Sequence, residues 1–403
     1  MNSRERIDAA MRLQGPDRVP VMCQLSLGHY FLNTGFGAVE IWHSTEAFAE
    51  ALIQLQQRYG FDGILVNLPG RDPNWRSHVR SIESGGGGEI IRWIDGTYTV
   101  CPDDDNPHVY QADGTRWFPT FAELDPEKLF YVEQHGVAGI TYPQRFGFDR
   151  GPAPPGKDFF PPWHFDTVRY LADRVGDDIS IHGEVFSPFS QLMDLLDYQN
   201  ALLALVDDPV KVKSCLAALV EGSVALGCGL ARAGAQAVLI SSAFAGAGFL
   251  SRRHYMEFVL PYESAVVAGI RGQAGIPVYT HTCGAIGDRL DLIAATGTQG
   301  IDTLDPPPIG TVEIGAAKRQ LAGKLFIKGN LDPVNTLLLG TIHDVRDAAR
   351  ERIALAAPGG GFILSSACSI APATPPANIA VLREVAEEHG RYPIAAAASN
   401  RNG

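Results

Sequence analysis

The chain has 403 residues, 45% of them hydrophobic, and a formal net charge of −12, which describes a globular protein long enough to bury a large core. The acidic balance disfavours a nucleic-acid partner, because binding phosphates needs clustered Lys and Arg, and no apolar run is long enough to span a membrane. The N-terminal segment lacks the apolar core of a secretory signal and six cysteines are too few for a disulfide framework, so we expect a cytoplasmic protein with reduced thiols.

Eight short β-rich runs follow one another along the chain, and most are separated by amphipathic helical patterns. They cover residues 18–25, 62–68, 178–186, 235–244, 276–283, 299–305, 324–332 and 360–368. Several helical patterns end in Gly, as the C-terminus of a helix often does. This alternation predicts an α/β fold with a parallel sheet, and eight such strands predict a closed (β/α)8 TIM-type barrel. No G-x-G-x-x-G follows a strand, which disfavours a dinucleotide-binding sheet.

Two segments interrupt the alternation. Over residues 88–120, two Asp-Gly turns flanked by alternating residues predict a β-hairpin insertion after the second strand. Residues 150–166 are rich in Pro and aromatic side chains, among them Phe159, Phe160 and Trp163, and form either a rigid surface excursion or a lid. We therefore expect a single domain over residues 1–395, with an N-terminal extension before the barrel and a disordered tail over 396–403.

The C-terminal ends of the strands carry the polar residues, and these ends form the catalytic face of such a barrel. His281 and Cys283 stand at i and i+2, so both side chains point to one face of their strand. A catalytic zinc site has three protein ligands and one open position, and Cys368, at the end of the last strand, is the third candidate. The alternative is that His281 is a hydrogen-bonded core residue and that the two thiols are only buried core groups. We interpret the remaining cysteines, Cys23, Cys101, Cys215 and Cys228, as core or incidental residues.

Longer segments carry a family resemblance. The chain resembles the uroporphyrinogen decarboxylase superfamily and, within it, the zinc-dependent, corrinoid-linked methyltransferase branch. The resemblance rests on RERIDAAMRLQGPDRVPV near the start, GEVFSPFSQLMDLLDYQNALLALVDDPVKV from residue 183, GFLSRRHYMEFVLPYESAVV from 248, IKGNLDPVNTLLLGT from 327, and GGGFILSSACSIAPATPPANIAVLREVAEEHGRY from 359. It implies a (β/α)8 barrel with His281, Cys283 and Cys368 as zinc ligands. The chain has no D-x-H-x-x-G corrinoid signature, so the corrinoid (cobalamin) is expected on a separate partner protein.

The activity that this resemblance implies is methyl transfer between a small O-, N- or S-methyl compound, such as a methoxylated aromatic, and the corrinoid. Zinc would either hold an acceptor thiol as thiolate or bind the oxygen of a methyl ether as a Lewis acid. Decarboxylases of the superfamily carry an Arg-rich R-Q-A-G-R segment, whereas residues 23–35 here contain no Arg, which disfavours uroporphyrinogen as a substrate. Two alternatives stay open: a metal-independent decarboxylase of another small or porphyrin-like acid, and a barrel that binds its partner without turnover.

Auxiliary site residues follow from their positions at the strand ends. Glu184 is expected to be catalytic, either as a fourth zinc ligand that substrate displaces or as a general acid/base; the alternative is a structural carboxylate. The expected substrate contacts are His29, Tyr30, His182, Asp302 and Asn330, with His182 also able to orient a ligand. Asp305 is a further polar candidate for the pocket, while Asp332 is expected to cap a helix.

Overall fold

The computed structural model describes residues 1–395, and the predicted tail over 396–403 lies outside this range. Its strands are β1 (Gly63–Val66), β2 (Val79–Gly85), β3 (Gly88–Trp93), β4 (Tyr98–Pro102), β5 (His108–Tyr110), β6 (Ser180–Phe186), β7 (Ala237–Ser241), β8 (Val278–Thr282), β9 (Gly300–Thr303), β10 (Phe326–Leu331) and β11 (Phe362–Ser366). Its helices are α1 (Ser3–Met11), α2 (Leu27–Asn33), α3 (Ala38–His43), α4 (Thr45–Tyr59), α5 (Asp166–Val175), α6 (Pro188–Leu196), α7 (Tyr198–Asp207), α8 (Pro209–Ala233), α9 (Arg252–Phe258), α10 (Leu260–Ala274), α11 (Leu290–Ala295), α12 (Ile314–Leu321), α13 (Ile342–Ala356) and α14 (Pro376–His389).

Seven of the predicted strands form one curled parallel sheet, in the order β1-β6-β7-β8-β9-β10-β11. Each neighbour in this order is also the next strand of the sheet along the chain, and helices connect them. The predicted glycine ends are confirmed: Gly60 and Gly234 follow α4 and α8 in the left-handed conformation that favours Gly. The architecture is therefore α/β and consistent with a TIM-like barrel.

The predicted first strand, residues 18–25, is not a regular strand. It makes only isolated parallel bridges, from Val21 to Leu364 and from Leu25 to Ile370. Pro20 explains the interruption, because proline has no N–H to donate to a ladder. The segment nevertheless lies between the two edge strands: Met22 N donates to Leu364 O in β11, and Asp62 N, just before β1, donates to Val21 O.

A second, antiparallel sheet, β2-β3-β4-β5, lies between β1 and β6 in the chain. It begins at Val79 rather than at residue 88, and its first hairpin turns at Gly86 and Gly87. The Asp95-Gly96 pair connects β3 and β4 as a hairpin turn should. The second Asp-Gly pair, at 113–114, makes a tight turn beyond β5, but no strand follows it.

The interior of the curled sheet is filled in tiers by alternate residues of the strands. A small apolar cluster contains Leu65, Leu239, Tyr279 and Phe326, and Ile7 of helix α1 packs against it. The larger core lies between the sheet and the outer helices. Among the described helices, only α8 is long and apolar enough to cross a membrane, and 61% of its most apolar window is buried, as in a core helix.

Candidate metal centre

The ends of β8 and β11 bring His281, Cys283 and Cys368 together. Nε2 of His281 lies 3.1 Å from Sγ of Cys283 and 4.0 Å from Sγ of Cys368, and the two sulfurs are 3.4 Å apart. Within residues 1–395 this is the one group of three His, Cys, Asp or Glu ligand atoms that all lie within 4.8 Å of one another. We call these three residues the triad.

The triad fits a single tetrahedral ion. Zinc bonds of about 2.3 Å to sulfur and about 2.0–2.1 Å to nitrogen give ligand–ligand edges of about 3.5–3.8 Å. The three observed separations, 3.1, 3.4 and 4.0 Å, straddle that range. One imidazole and two thiolates are ligands that zinc favours, and three protein ligands leave a position for a substrate. The remaining cysteines of the chain are buried and free, as predicted.

Contacts to Nδ1 orient the imidazole of His281 so that its Nε2 faces the two thiols. Its Nδ1 lies 3.0 Å from Oγ1 of Thr303 and 3.4 Å from Oδ2 of Asp302. Lys328 Nζ donates to the same Asp302 oxygen at 2.9 Å, and the Lys328 and Asp302 side chains are 1% and 2% exposed. Metal-binding histidines usually have such a partner on the second nitrogen, which fixes the tautomer and the ring orientation.

The protonation of the triad reflects these contacts. Burial lowers the pKa of His281, but the bonds to Asp302 and Cys368 outweigh burial and raise this pKa to about 10. The contact between the sulfurs of Cys283 and Cys368 lowers the pKa of Cys368 and raises that of Cys283. A metal ion bound at the triad would replace the protons that these ligands share.

Glu184 lies beside the triad at the end of β6. Burial raises the pKa of its carboxyl group to about 7, and the charges of His281 and Cys368 contribute to the shift with opposite signs. The same side chain lines a cleft with about 380 Å³ of empty space, counting the solvent at its mouth. Glu184 therefore lies within the influence of the triad's charges and borders a narrow cleft.

Two predicted substrate contacts are unavailable to a substrate. His29 is fully buried, with Nε2 2.7 Å from the Tyr59 hydroxyl and Nδ1 2.9 Å from Pro372 O. Tyr30 is 4% exposed and packs edge-on against Phe48 in the core. This corrects the expectation, which rested only on their position in the segment that carries the decarboxylase arginines. In the structure His29 instead holds the loop that follows Cys368, through its contact with Pro372 O.

The other predicted contacts are also engaged within the protein. His182 is fully buried between Ser180 and Tyr279 hydroxyls, at 3.0 and 2.8 Å. Asp302 is occupied by the contacts that hold His281. Asn330 is buried and donates from Nδ2 to Leu304 O at 2.8 Å, while its Oδ1 has no partner among the described residues. In this structure His182 and Asp302 therefore support the interior rather than line an open pocket.

Two further strand-end residues shape the backbone around the triad. Asp305 accepts a hydrogen bond from Gly284 N at 2.6 Å, and burial raises its pKa to about 6. Asp332 caps the turn after β10, accepting from Val334 N and Asn335 N, which confirms the prediction of a cap.

The aromatic loop over 150–166 packs into the protein. Phe159 is fully buried against Phe130 and Phe146. The Phe160 ring packs at a tilt against His164, with 4.9 Å between ring centroids, and His164 does line the cleft. None of Phe159, Phe160 and Trp163 lines the cleft beside Glu184.

Sequence reasoning missed the residues that position the triad. Lys328 was available as a signal, because a lysine inside an apolar strand needs a buried counter-charge. Arg289 is fully buried and donates to Ala245 O and Leu250 O, at 2.8 and 3.0 Å, which holds the loop after β7. Gly246 of that loop passes so close to Cys283 that a Cβ there would lie 2.4 Å from Cys283 O.

The sequence matches one protein family and curated proteins of two activities. A sequence model of the family described as uroporphyrinogen decarboxylase (URO-D) matches residues 152–389. The uroporphyrinogen decarboxylase of Thioalkalivibrio sulfidiphilus is 34% identical over 235 residues, which are 56% of this chain and 64% of that protein. The methylcobamide:CoM methyltransferase MtbA of Methanosarcina acetivorans is 26% identical over 227 residues, 56% of this chain and 62% of that protein.

A solved structure supports the fold. A methyltransferase from Methanosarcina mazei superposes with a TM-score of 0.70 at 17% identity, covering 96% of this chain and 99% of that chain. In sequence, however, the chain spans less than two thirds of the length of the curated relatives described above. The relatives thus include both decarboxylases and methyltransferases, and the solved methyltransferase shares the overall fold of this chain.

Proposed function

Since the chain belongs to the uroporphyrinogen decarboxylase (URO-D) family, we propose that it is a zinc-dependent methyltransferase of that superfamily. It moves a methyl group between a small O-, N- or S-methyl compound and a corrinoid on a partner protein, as a soluble enzyme of the cytoplasm. The observation that carries the proposal is the triad, whose ligand atoms lie within 4.8 Å of one another. The methylcobamide:CoM methyltransferase named among its relatives supports a corrinoid partner.

His281, Cys283 and Cys368 would hold the zinc ion, which supplies a positive charge that keeps a thiol ionised or polarises a leaving oxygen. Thr303 and Asp302 orient the imidazole of His281, as their 3.0 and 3.4 Å separations from Nδ1 indicate. The thiolate charge of Cys368 is already favoured by its contacts. The chain therefore needs little reorganisation to bind the ion.

Glu184 is the catalytic residue we assign beside the triad. The charges of His281 and Cys368 both contribute to the pKa of its carboxyl group, and the side chain borders the cleft. With a pKa near 7 it is able to hold or release a proton at neutral pH. Glu184 would serve either as a fourth ligand that substrate displaces or as a general acid/base that takes up or gives a proton.

The experiment is a zinc analysis of purified protein with two ligand variants, His281→Ala and Cys368→Ser. We expect about one zinc per chain in the wild type and loss of the metal in both variants, because two ligands rarely retain zinc. Cys228→Ser is the matched control: this thiol is buried on α8 and already lies 3.9 Å from Gln273 Oε1, so the variant should keep its zinc. A wild type prepared without chelators that contains no zinc would contradict the proposal.

The second candidate is a metal-independent decarboxylase, which the 34% identity to a decarboxylase favours. The lack of available cations argues against a polycarboxylate substrate. Residues 23–35 contain no arginine, and the arginine that precedes them in the chain, Arg18, is 4% exposed and already bonded to Asp62. A decarboxylase would keep its activity after chelation and in Cys368→Ser. Methyl transfer from methylcobalamin to a thiol, followed by its visible spectrum, would stop under both changes.

A further inference from the structure

Three loops at the triad contain no Asp, Glu, Lys, Arg or His residue. They are residues 243–249 after β7 (AFAGAGF), 283–287 from Cys283 onward (CGAIG) and 368–375 from Cys368 onward (CSIAPATP). Charged residues make up 19% of the whole chain, and each of these loops has exposed residues, among them Phe249, Gly287 and Pro375. We call them the neutral loops. An exposed, apolar and uncharged surface of this kind marks an interaction site.

The first neutral loop is fixed directly against a ligand of the triad. Ala247 N donates to Ala285 O at 2.8 Å, two residues beyond Cys283. Gly246 passes so close to Cys283 O that only a residue without a side chain fits there, and Phe249 N donates back to Gly246 O at 3.1 Å. The position of Phe249 is therefore coupled to that of Cys283 through a single tight turn.

Three aromatic side chains meet on the outer side of this loop. The Phe244 ring centroid lies 4.9 Å from that of Tyr198, at the start of α7, and 5.5 Å from that of Phe249; the latter two are 6.4 Å apart. Tyr198 and Phe249 are nevertheless 47% and 44% exposed. We call these three residues the aromatic rim. Large rings that contact one another and stay half exposed are typical anchors of a binding surface.

The chemistry of this surface fits a flat, uncharged macrocycle. Ala247 and Gly248 are exposed and have almost no side chain, and a Cβ at Gly248 would meet no described atom within 4 Å, so a planar group can approach the loop closely. Methyl transfer requires the reacting atoms to come within about 3–3.5 Å of each other. A corrin ring whose cobalt serves the triad therefore extends over the loops beside it. The edge of that ring carries methyl and amide groups, which are neutral like the loops.

We propose that the aromatic rim and the neutral loops bind the corrin ring that the partner protein carries, with Tyr198 and Phe249 packing against the ring. The inference rests on the proposed function and assigns the surface through which the site receives its methylcorrinoid. The triad itself contributes metal ligands and the rim contributes affinity for the ring, so the two roles are separable by substitution.

The test measures binding of free methylcobalamin to the full chain by calorimetry, without an acceptor thiol, so that no turnover occurs. Tyr198→Ala and Phe249→Ala should each weaken binding about ten-fold, because each removes a large aromatic contact. Their zinc content should stay at the wild-type value. Ile94→Ala is the matched control: this side chain is 59% exposed at the turn after β3, and the variant should bind within about two-fold of wild type.

Two further measurements assign the contact to the ring and to an open surface. Methylcobinamide, which lacks the nucleotide tail, should bind within about three-fold of methylcobalamin. Sedimentation velocity should give the same oligomeric state for the wild type and for Tyr198→Ala, since a rim that receives a corrin ring is not covered by a second copy.

Three results would overturn the inference and leave the proposed function intact: no saturable binding of methylcobalamin, binding that neither rim variant weakens, or a dimer that Tyr198→Ala dissociates. Binding that requires the nucleotide tail would overturn it as well. A chain that binds methylcobalamin through the rim but contains no zinc would contradict the proposed function alone, because the rim contacts need no metal.

Discussion

Substitutions in the buried pair of Asp302 and Lys328 should show that zinc affinity and folding stability depend on this pair in different ways. In Asp302→Asn, Lys328 Nζ loses the carboxylate that it meets at 2.9 Å, with both side chains at most 2% exposed. Removing one partner of a buried pair costs about 3–5 kcal/mol; since Asn keeps an acceptor, we expect a loss near 3 kcal/mol in the free energy of unfolding of the apo protein. The zinc affinity should fall about ten-fold, the low end for such partners, because Thr303 still faces His281 Nδ1 at 3.0 Å.

The double variant Asp302→Asn/Lys328→Met tests the reasoning. It removes both buried charges, so the stability of the apo protein should return to within about 1 kcal/mol of wild type, while the zinc affinity stays low. Urea unfolding with a chelator gives the stability, and competition with a chromophoric chelator gives the zinc Kd. Glu384→Gln, which breaks an exposed pair with Arg346, is the control and should cost less than about 1 kcal/mol. Wild-type zinc affinity in Asp302→Asn would refute the orienting role of this carboxylate.

Three further predictions concern the loop near Cys283, a buried carboxyl group and the thiols of the triad. Gly246→Ala should weaken zinc binding by forcing Cys283 to move, whereas Gly248→Ala, which meets no atom within 4 Å, should not; equal zinc Kd values would contradict this. Burial raises the folded pKa of Glu263 to about 7. Between about pH 4.5 and 7 the unfolded chain therefore loses this proton first, and the stability falls as pH rises. In urea unfolding from pH 5 to 8, Glu263→Gln should remove up to about 3 kcal/mol of that fall, whereas the control Glu221→Gln, at an exposed position of α8, should remove none of it. A thiol reagent should label the two cysteines of the triad in the chelated protein and neither in the zinc-loaded one, since the other four are buried; labelling that zinc does not change would speak against the metal site.

The sequence predicts the part of the site that depends on strand periodicity. His281 and Cys283 share a face because side chains alternate along β8, and Cys368 joins them because β11 ends at the same edge of the sheet. Seven of the eight predicted strands are present for the same reason: near-continuous apolar runs bounded by turn residues are a strong signal.

What could not be predicted lies in contacts between distant segments. The irregular stretch from residue 111 to 165 has no periodicity, so nothing in it indicates that Glu133 and His164 meet Glu184 at one cleft. His29 was misassigned because its position along the chain was used without its burial, and a histidine on the buried face of a short helix is usually paired in the core.

The register of the curled sheet has a consequence for which substitutions the site can accept. His281 pairs with Asp302 across β8 and β9, and Asp302 pairs with Lys328 across β9 and β10, so the metal ligand and the buried ion pair that orients it stand side by side. Cys283 and Cys368 lie just beyond the ends of β8 and β11. A substitution at either cysteine therefore removes a ligand and leaves the buried ion pair in place, whereas a substitution of Asp302 or Lys328 also costs stability.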